Sequence, residues 1–275
     1  MKETARDGAG AHHSGGWARA DRSRLVSAAP VPIHTLSPGH PLLTGKSGAG
    51  ISVAVVDSGI HLKHPHVGGV VSASGIDPDG GVAADATDHL GHGTAVLSAI
   101  HEKAPGALLH VVKVFDRRLS TTTAGLVSAL YQCADRGIRL VNLSLGTENR
   151  AAIPLLNDAL CRCSERGTLV VSARGDEKQR WFPGSSSRAI GVEVDWGCPR
   201  DSMLIEPSPT GARFFASGFA RPIPGVAPEY NIKGVSFSVA NVTGLLACLL
   251  EGRDEIRSSQ ELNELLLSSW AGTPA

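Results

Sequence analysis

The sequence predicts an α/β fold: one domain with a mostly parallel central sheet flanked by helices. Three observations predict it. Short, β-branched apolar runs alternate along the chain with longer segments of helical spacing. The first such run, residues 51–56, is short, β-branched and apolar, which suits a buried strand. Glycine follows two of the helical segments, where a left-handed residue closes a helix. Strands joined by helices of this length imply right-handed crossovers and parallel neighbours.

The elements follow in order. Residues 1–24 are rich in Gly, Ala, Ser, Arg and His and nearly devoid of large apolar residues, so a flexible tail is expected. Prolines at 30, 32, 38 and 41 punctuate an extended lead-in. Residues 1–44 are therefore read as tail and lead-in, and residues 45–275 as the folded domain. Residues 51–56 (I-S-V-A-V-V) suit the first buried strand, and residues 109–114, 139–145, 168–173 and 190–194 read the same way. Between them, residues 92–103, 123–136 and 151–166 carry helical spacing, with Gly137 and Gly167 after the last two. Residues 236–250 and 260–268 read as two closing helices, the second opened by Ser258-Ser-Gln-Glu261, a capping-box pattern. No internal repeat is present.

Composition excludes several classes. The 275 residues carry 26 basic and 26 acidic side chains, a formal charge of zero with histidine neutral. That balance argues against nucleic acid or an anionic membrane as the main partner. Aromatic residues make up only 4%, which speaks against base-stacking surfaces. No window approaches 18 consecutive apolar residues, and the N-terminus lacks the apolar core of a secretory signal. The five cysteines, Cys133, Cys161, Cys163, Cys198 and Cys248, have no metal-ligand spacing and are read as reduced thiols. A cytoplasmic location is expected.

In a parallel sheet, chemistry gathers where strands end. Asp57 follows the first strand in Val55-Val-Asp-Ser-Gly59. His92 opens a helix in Gly91-His-Gly-Thr94, and Ser236 opens another after Gly234-Val. A serine hydroxyl is a weak nucleophile that needs a base. Histidine titrates near neutrality, and a carboxylate fixes its tautomer and stabilises the imidazolium. A serine at a helix start also places backbone N–H groups beside a developing oxyanion. Taken singly, each piece also suits an ordinary turn or helix cap. Together, in the order Asp, His, Ser, they suit nucleophilic catalysis.

Here the sequence resembles the subtilisin-like serine proteases. Val53-Ala-Val-Val-Asp-Ser-Gly-Ile60 is similar to the family's aspartate motif, and Asp88-His-Leu-Gly-His-Gly-Thr94 to its histidine motif. Gly234-Val-Ser-Phe-Ser-Val-Ala-Asn-Val-Thr-Gly244 resembles its serine motif, G-T-S-M-A-x-P-H-V-A-G. Intervening likenesses include Val112-Lys-Val-Phe-Asp116, Val141-Asn-Leu-Ser-Leu-Gly146 and Trp181-Phe-Pro-Gly184, and the likeness runs from about Thr44 to the final helix. The resemblance implies a subtilisin-like fold with Asp57, His92 and Ser236 as catalytic triad. Ser144, Leu145 and Gly146 would bind an extended peptide or protein substrate by β-augmentation.

Departures qualify the resemblance. Where the family places an oxyanion-hole asparagine, Ala173-Arg-Gly-Asp-Glu177 puts Asp176. Only a protonated carboxyl could donate a hydrogen bond there. Loss of such a donor lowers kcat by about 10²–10³, a magnitude measured in subtilisin itself. Val235 replaces Thr, and Ala240-Asn241 replaces Pro-His. Many relatives hold calcium through an aspartate where this chain has His66, so no metal and no cofactor is expected. His61, His64 and His66 lack a nearby Cys or carboxylate, which favours a solvated cluster. The short segment before the domain is too polar for the family's folded prodomain. The expectation is a serine endopeptidase of restricted range, such as peptide-precursor processing. A catalytically impaired peptide-binding scaffold and a transpeptidase or macrocyclase remain alternatives; Asp176 speaks for the first, and no sequence feature separates the second from hydrolysis.

Overall fold

The structure, a computed structural model, describes residues 32–175 and 179–270. Ten strands form one sheet: β1 (His34–Leu36), β2 (Ser52–Asp57), β3 (Val70–Ile76), β4 (Val82–Ala83), β5 (Leu108–Lys113), β6 (Leu140–Leu143), β7 (Leu169–Ala173), β8 (Ile190–Val194), β9 (Met203–Ser208) and β10 (Gly211–Ala216). Their spatial order is β1-β9-β10-β8-β7-β6-β2-β5-β3-β4. From β10 through to β3 every neighbouring pair is parallel, and antiparallel pairing is confined to β1–β9, β9–β10 and β3–β4. The mostly parallel sheet expected from the apolar runs is the one observed.

Alternation along β2 divides the core. Val53 and Val55 face one apolar layer, with α1 (His92–Lys103), α4 (Val235–Leu250) and α5 (Ser259–Ser268). Ala54 and Val56 face the other, with α2 (Thr123–Asp135) and α3 (Ile153–Glu165). Strand side chains point to opposite faces in turn, so a strand inside such a sandwich must be apolar at every position. Helix α4 is buried at every residue from Ser236 to Leu250, which explains why its sequence is apolar all round rather than amphipathic. Gly137 and Gly167 close α2 and α3 at φ 66° and 73°, as their positions predict.

Two features differ from the sequence reading. Residues 34–36, assigned there to the lead-in, pair with β9, and Leu36 is fully buried. The β9–β10 hairpin and β3 were not anticipated. Both β3 and the hairpin expose alternate side chains, and β9 contains Pro207, so neither presents a continuous apolar run. No helix among the described residues is long and apolar enough to cross a membrane.

Candidate active site

Strand β2 lies inside the sheet, between β5 and β6, and delivers Asp57 at its carboxyl end with no solvent exposure. Helix α1 starts directly opposite. Its first turn sits against the Ser58-Gly59 turn: a Cβ on Gly93 would lie 2.5 Å from the Gly59 carbonyl oxygen, so only glycine permits the approach. The Gly93 N–H donates to Ser58 Oγ at 2.8 Å. With the two turns pressed together, His92 Nδ1 comes to 2.7 Å from Asp57 Oδ1. The same oxygen accepts the Ser58 N–H at 2.7 Å, and Oδ2 is buried with no hydrogen-bond partner among the described residues.

Asp88 holds this arrangement together. Its Oδ1 accepts from Ser58 Oγ (2.8 Å), Leu90 N–H (3.0 Å) and Gly91 N–H (2.8 Å). Its Oδ2 accepts from Thr94 N–H (2.9 Å) and Thr94 Oγ1 (2.6 Å). One buried carboxylate thus caps the N-terminus of α1 and ties it to the turn after Asp57, where a negative charge also suits the helix dipole. Burial alone would raise its pKa, but the bonds from Thr94, Ser58 and Leu90 outweigh that and hold it below the usual carboxylate range. Sequence reasoning quoted Asp88 within a motif and gave it no role. The signal available was an aspartate shortly before a helix start.

Ser236 stands in the first turn of α4 and is only 4% exposed. A reciprocal pair clamps that turn to the end of β6: Ser236 Oγ donates to the Ser144 carbonyl and Ser144 Oγ donates to the Ser236 carbonyl, each at 3.2 Å. Behind it, Asn142 Nδ2 donates to Ser144 Oγ at 2.8 Å, and Thr243 Oγ1 donates to Asn142 Oδ1 at 3.0 Å. This buried relay runs from α4 to β6 and back. Neither Asn142 nor Thr243 was singled out from sequence, because the pairing spans about a hundred residues.

One cleft gathers His92, Ser236, Ser144, Leu145 and Gly146, with Phe115 and Trp181 among its walls. Triad candidates and substrate-binding candidates therefore meet in one place. The remaining candidate, Asp176, lies outside the described residues; Gly175 and Arg180 on either side form an antiparallel bridge. His64 and His66 lie apart from the cleft lining, with rings edge to face at 5.2 Å. Burial, and then the positive charge of Arg221, lowers the pKa of His66. Among the described residues no three His, Cys, Asp or Glu side chains are grouped to hold an ion.

Residues 48–199 match the subtilase family, Peptidase_S8. The chain belongs to the subtilase family. This subtilase is 25% identical to subtilisin DY of Bacillus licheniformis over 243 residues, 80% of this chain and 84% of that protein. It spans about half the length of other curated relatives, 53% of subtilisin E of Bacillus subtilis for one, at 23% identity. Among solved structures it resembles the prenylagaramide maturation protease PagA, with 26% identity, a TM-score of 0.59, and coverage of 82% of this chain and 84% of that one. The nisin leader peptidase NisP of Lactococcus lactis shares the fold at 19% identity and a TM-score of 0.62, over 79% of this chain and 82% of that one. Family membership makes the chain a serine-type peptidase.

Proposed function

We propose that this subtilase is a serine endopeptidase working through Asp57, His92 and Ser236. The observation that carries the reading is the 2.7 Å contact between His92 Nδ1 and Asp57 Oδ1 in the cleft that also holds Ser236. A carboxylate at Nδ1 keeps the proton there and leaves Nε2 as the base. Ser236 Oγ adds to the carbonyl carbon of an extended peptide while its proton passes to His92 Nε2. The tetrahedral oxyanion is met by backbone N–H groups at the start of α4 and by Asp176 in its protonated form. His92 then returns the proton to the leaving amine, and the acyl-enzyme forms on Ser236. Water, deprotonated by the same imidazole, releases the acid and restores the serine.

The substrate is a peptide or protein lying along Ser144, Leu145 and Gly146. Two structural neighbours are named for acting on peptide precursors, a nisin leader peptidase and a prenylagaramide maturation protease. That supports a restricted, precursor-processing range for this chain. A reducing compartment, the cytoplasm, is supported by five unpaired cysteines, four of them buried.

A fluorophosphonate probe followed by mass mapping tests the reading. Label is expected on Ser236 and absent from Ser236→Ala, which should also lose peptide cleavage while remaining folded. Folded wild-type protein that stays unlabelled at pH 8 would sink the reading and leave a peptide-binding scaffold.

A further inference from the structure

As the described residues bound it, the cleft around Ser236 and His92 is narrow, with a cavity volume of about 30 Å³. Trp181 is the bulkiest side chain in that lining, and its position is fixed from several sides. Its N–H donates to the Arg174 carbonyl at 2.9 Å. The next residue, Phe182, forms an antiparallel bridge with Thr147, with N···O distances of 2.8 and 2.9 Å. These ties press Trp181 against Gly146, where an added Cβ would lie 2.7 Å from the Trp181 Cβ. At the far end of the ring, Nε1 donates to Glu148 Oε1 at 3.2 Å, and Glu148 also accepts from the Gln179 amide. The indole cannot swing aside without giving up the Glu148 bond and its seat on Gly146.

We propose that Trp181 is the specificity-determining residue of the cleft, restricting the substrate residue whose carbonyl is attacked to glycine, alanine or serine. This rests on Ser236 being the nucleophile. The attacked carbon must come within about 3–3.5 Å of Ser236 Oγ, so the side chain one bond further on enters the space between Gly146, Ala173 and Trp181. An extended chain along Ser144 to Gly146 turns alternate side chains toward the protein. A methyl or hydroxymethyl group fits the space left beside the indole. A leucine or phenylalanine side chain does not, and the hydrogen-bonded ring leaves no easy way to enlarge it.

The test uses the full chain and a series of peptidyl diphenyl phosphonates that differ only in the side chain next to phosphorus: methyl, isobutyl or benzyl. These modify the nucleophilic serine covalently and report fit without requiring turnover. Wild-type protein should react with the methyl probe at least 10–200-fold faster than with the isobutyl probe, the range that small differences in side-chain size produce. Trp181→Ala should raise the isobutyl and benzyl rates tenfold or more relative to the methyl rate. Trp181→Phe keeps the packing on Gly146 and drops the Glu148 bond; it should shift the ratio part-way in the same direction, which covers the case in which the alanine variant does not fold. A wild type that reacts equally with all three probes, or with none, or a ratio untouched in the folded variants, overturns the proposal. A small fluorophosphonate without a side chain separates this from failure of the parent reading. If it labels Ser236, the nucleophile stands whatever the phosphonates do; if it does not, the nucleophile itself is misassigned.

Discussion

Replacing Asp88 by asparagine probes how the helix that begins at His92 is held. The wild-type carboxylate accepts five hydrogen bonds, three at Oδ1 and two at Oδ2. The asparagine keeps one acceptor oxygen and turns an NH₂ toward Thr94, whose backbone N–H then has no acceptor. A buried donor left unsatisfied costs about 1–3 kcal/mol. The three bonds that survive change from charge-assisted to neutral, a loss of about 1 kcal/mol each. The expected destabilisation is about 4–6 kcal/mol, with a fall in Tm of about 10–20 °C for a domain of this size. Urea unfolding in a Ser236→Ala background measures it without self-cleavage. The pH dependence gives a second reading. Because the native Asp88 pKa is depressed, its contribution is complete above the ordinary value of about 3.9 and fades as pH falls through the lower native value. The gap between wild type and variant should therefore be constant from pH 7 to 5 and narrow only below about pH 4. A loss under 1 kcal/mol at pH 7, or a gap already closing between pH 7 and 5, would refute the account.

Two further outcomes follow from the same structure. Burial pushes the thiols of Cys133 and Cys163 up to about 12 and those of Cys198 and Cys248 up to about 11, while Cys161 is half-exposed. Iodoacetamide at pH 8 should modify Cys161 alone in the native protein and all five after denaturation; rapid native labelling at any buried position would contradict the packing of that core. On the oxyanion role proposed for Asp176, Asp176→Asn should raise kcat and flatten the alkaline limb of its pH profile, since of a carboxyl only the protonated form can donate and an amide does not titrate. An unchanged limb, or activity lost in the variant, would remove Asp176 from the oxyanion hole.

What the sequence made legible, and what it hid, divides along a physical line. The interior strands β2, β5, β6, β7 and β8 contribute apolar side chains to layers on both faces of the sheet, so their sequences are mostly apolar, with few polar interruptions such as Asn142 and Ser172. Asp57 and His92 lie within two residues of Gly59 and Gly93, whose crossing admits nothing larger, and Ser236 follows Gly234, whose φ of 154° favours glycine; the site announced itself through its turns. The antiparallel hairpin β9–β10 and strand β3 expose part of each strand, so their patterns mix with those of loops. The supporting polar groups were hidden for a different reason. Asp88 gives little sign in one dimension that it collects donors from Ser58 and Thr94, and Asn142 gives none that it bridges Ser144 and Thr243. Trp181 packs against the edge of the core and also lines the cleft. Its contact with Gly146 and its bond to Glu148 hold it there, beside the Thr147–Phe182 bridge, which joins segments 35 residues apart that no local pattern connects. Local sequence thus carries the residues proposed to do the chemistry, because their backbones are tightly constrained. The residues that support them, and the one proposed to choose the substrate, are defined by tertiary neighbours, and only the folded chain brings those together.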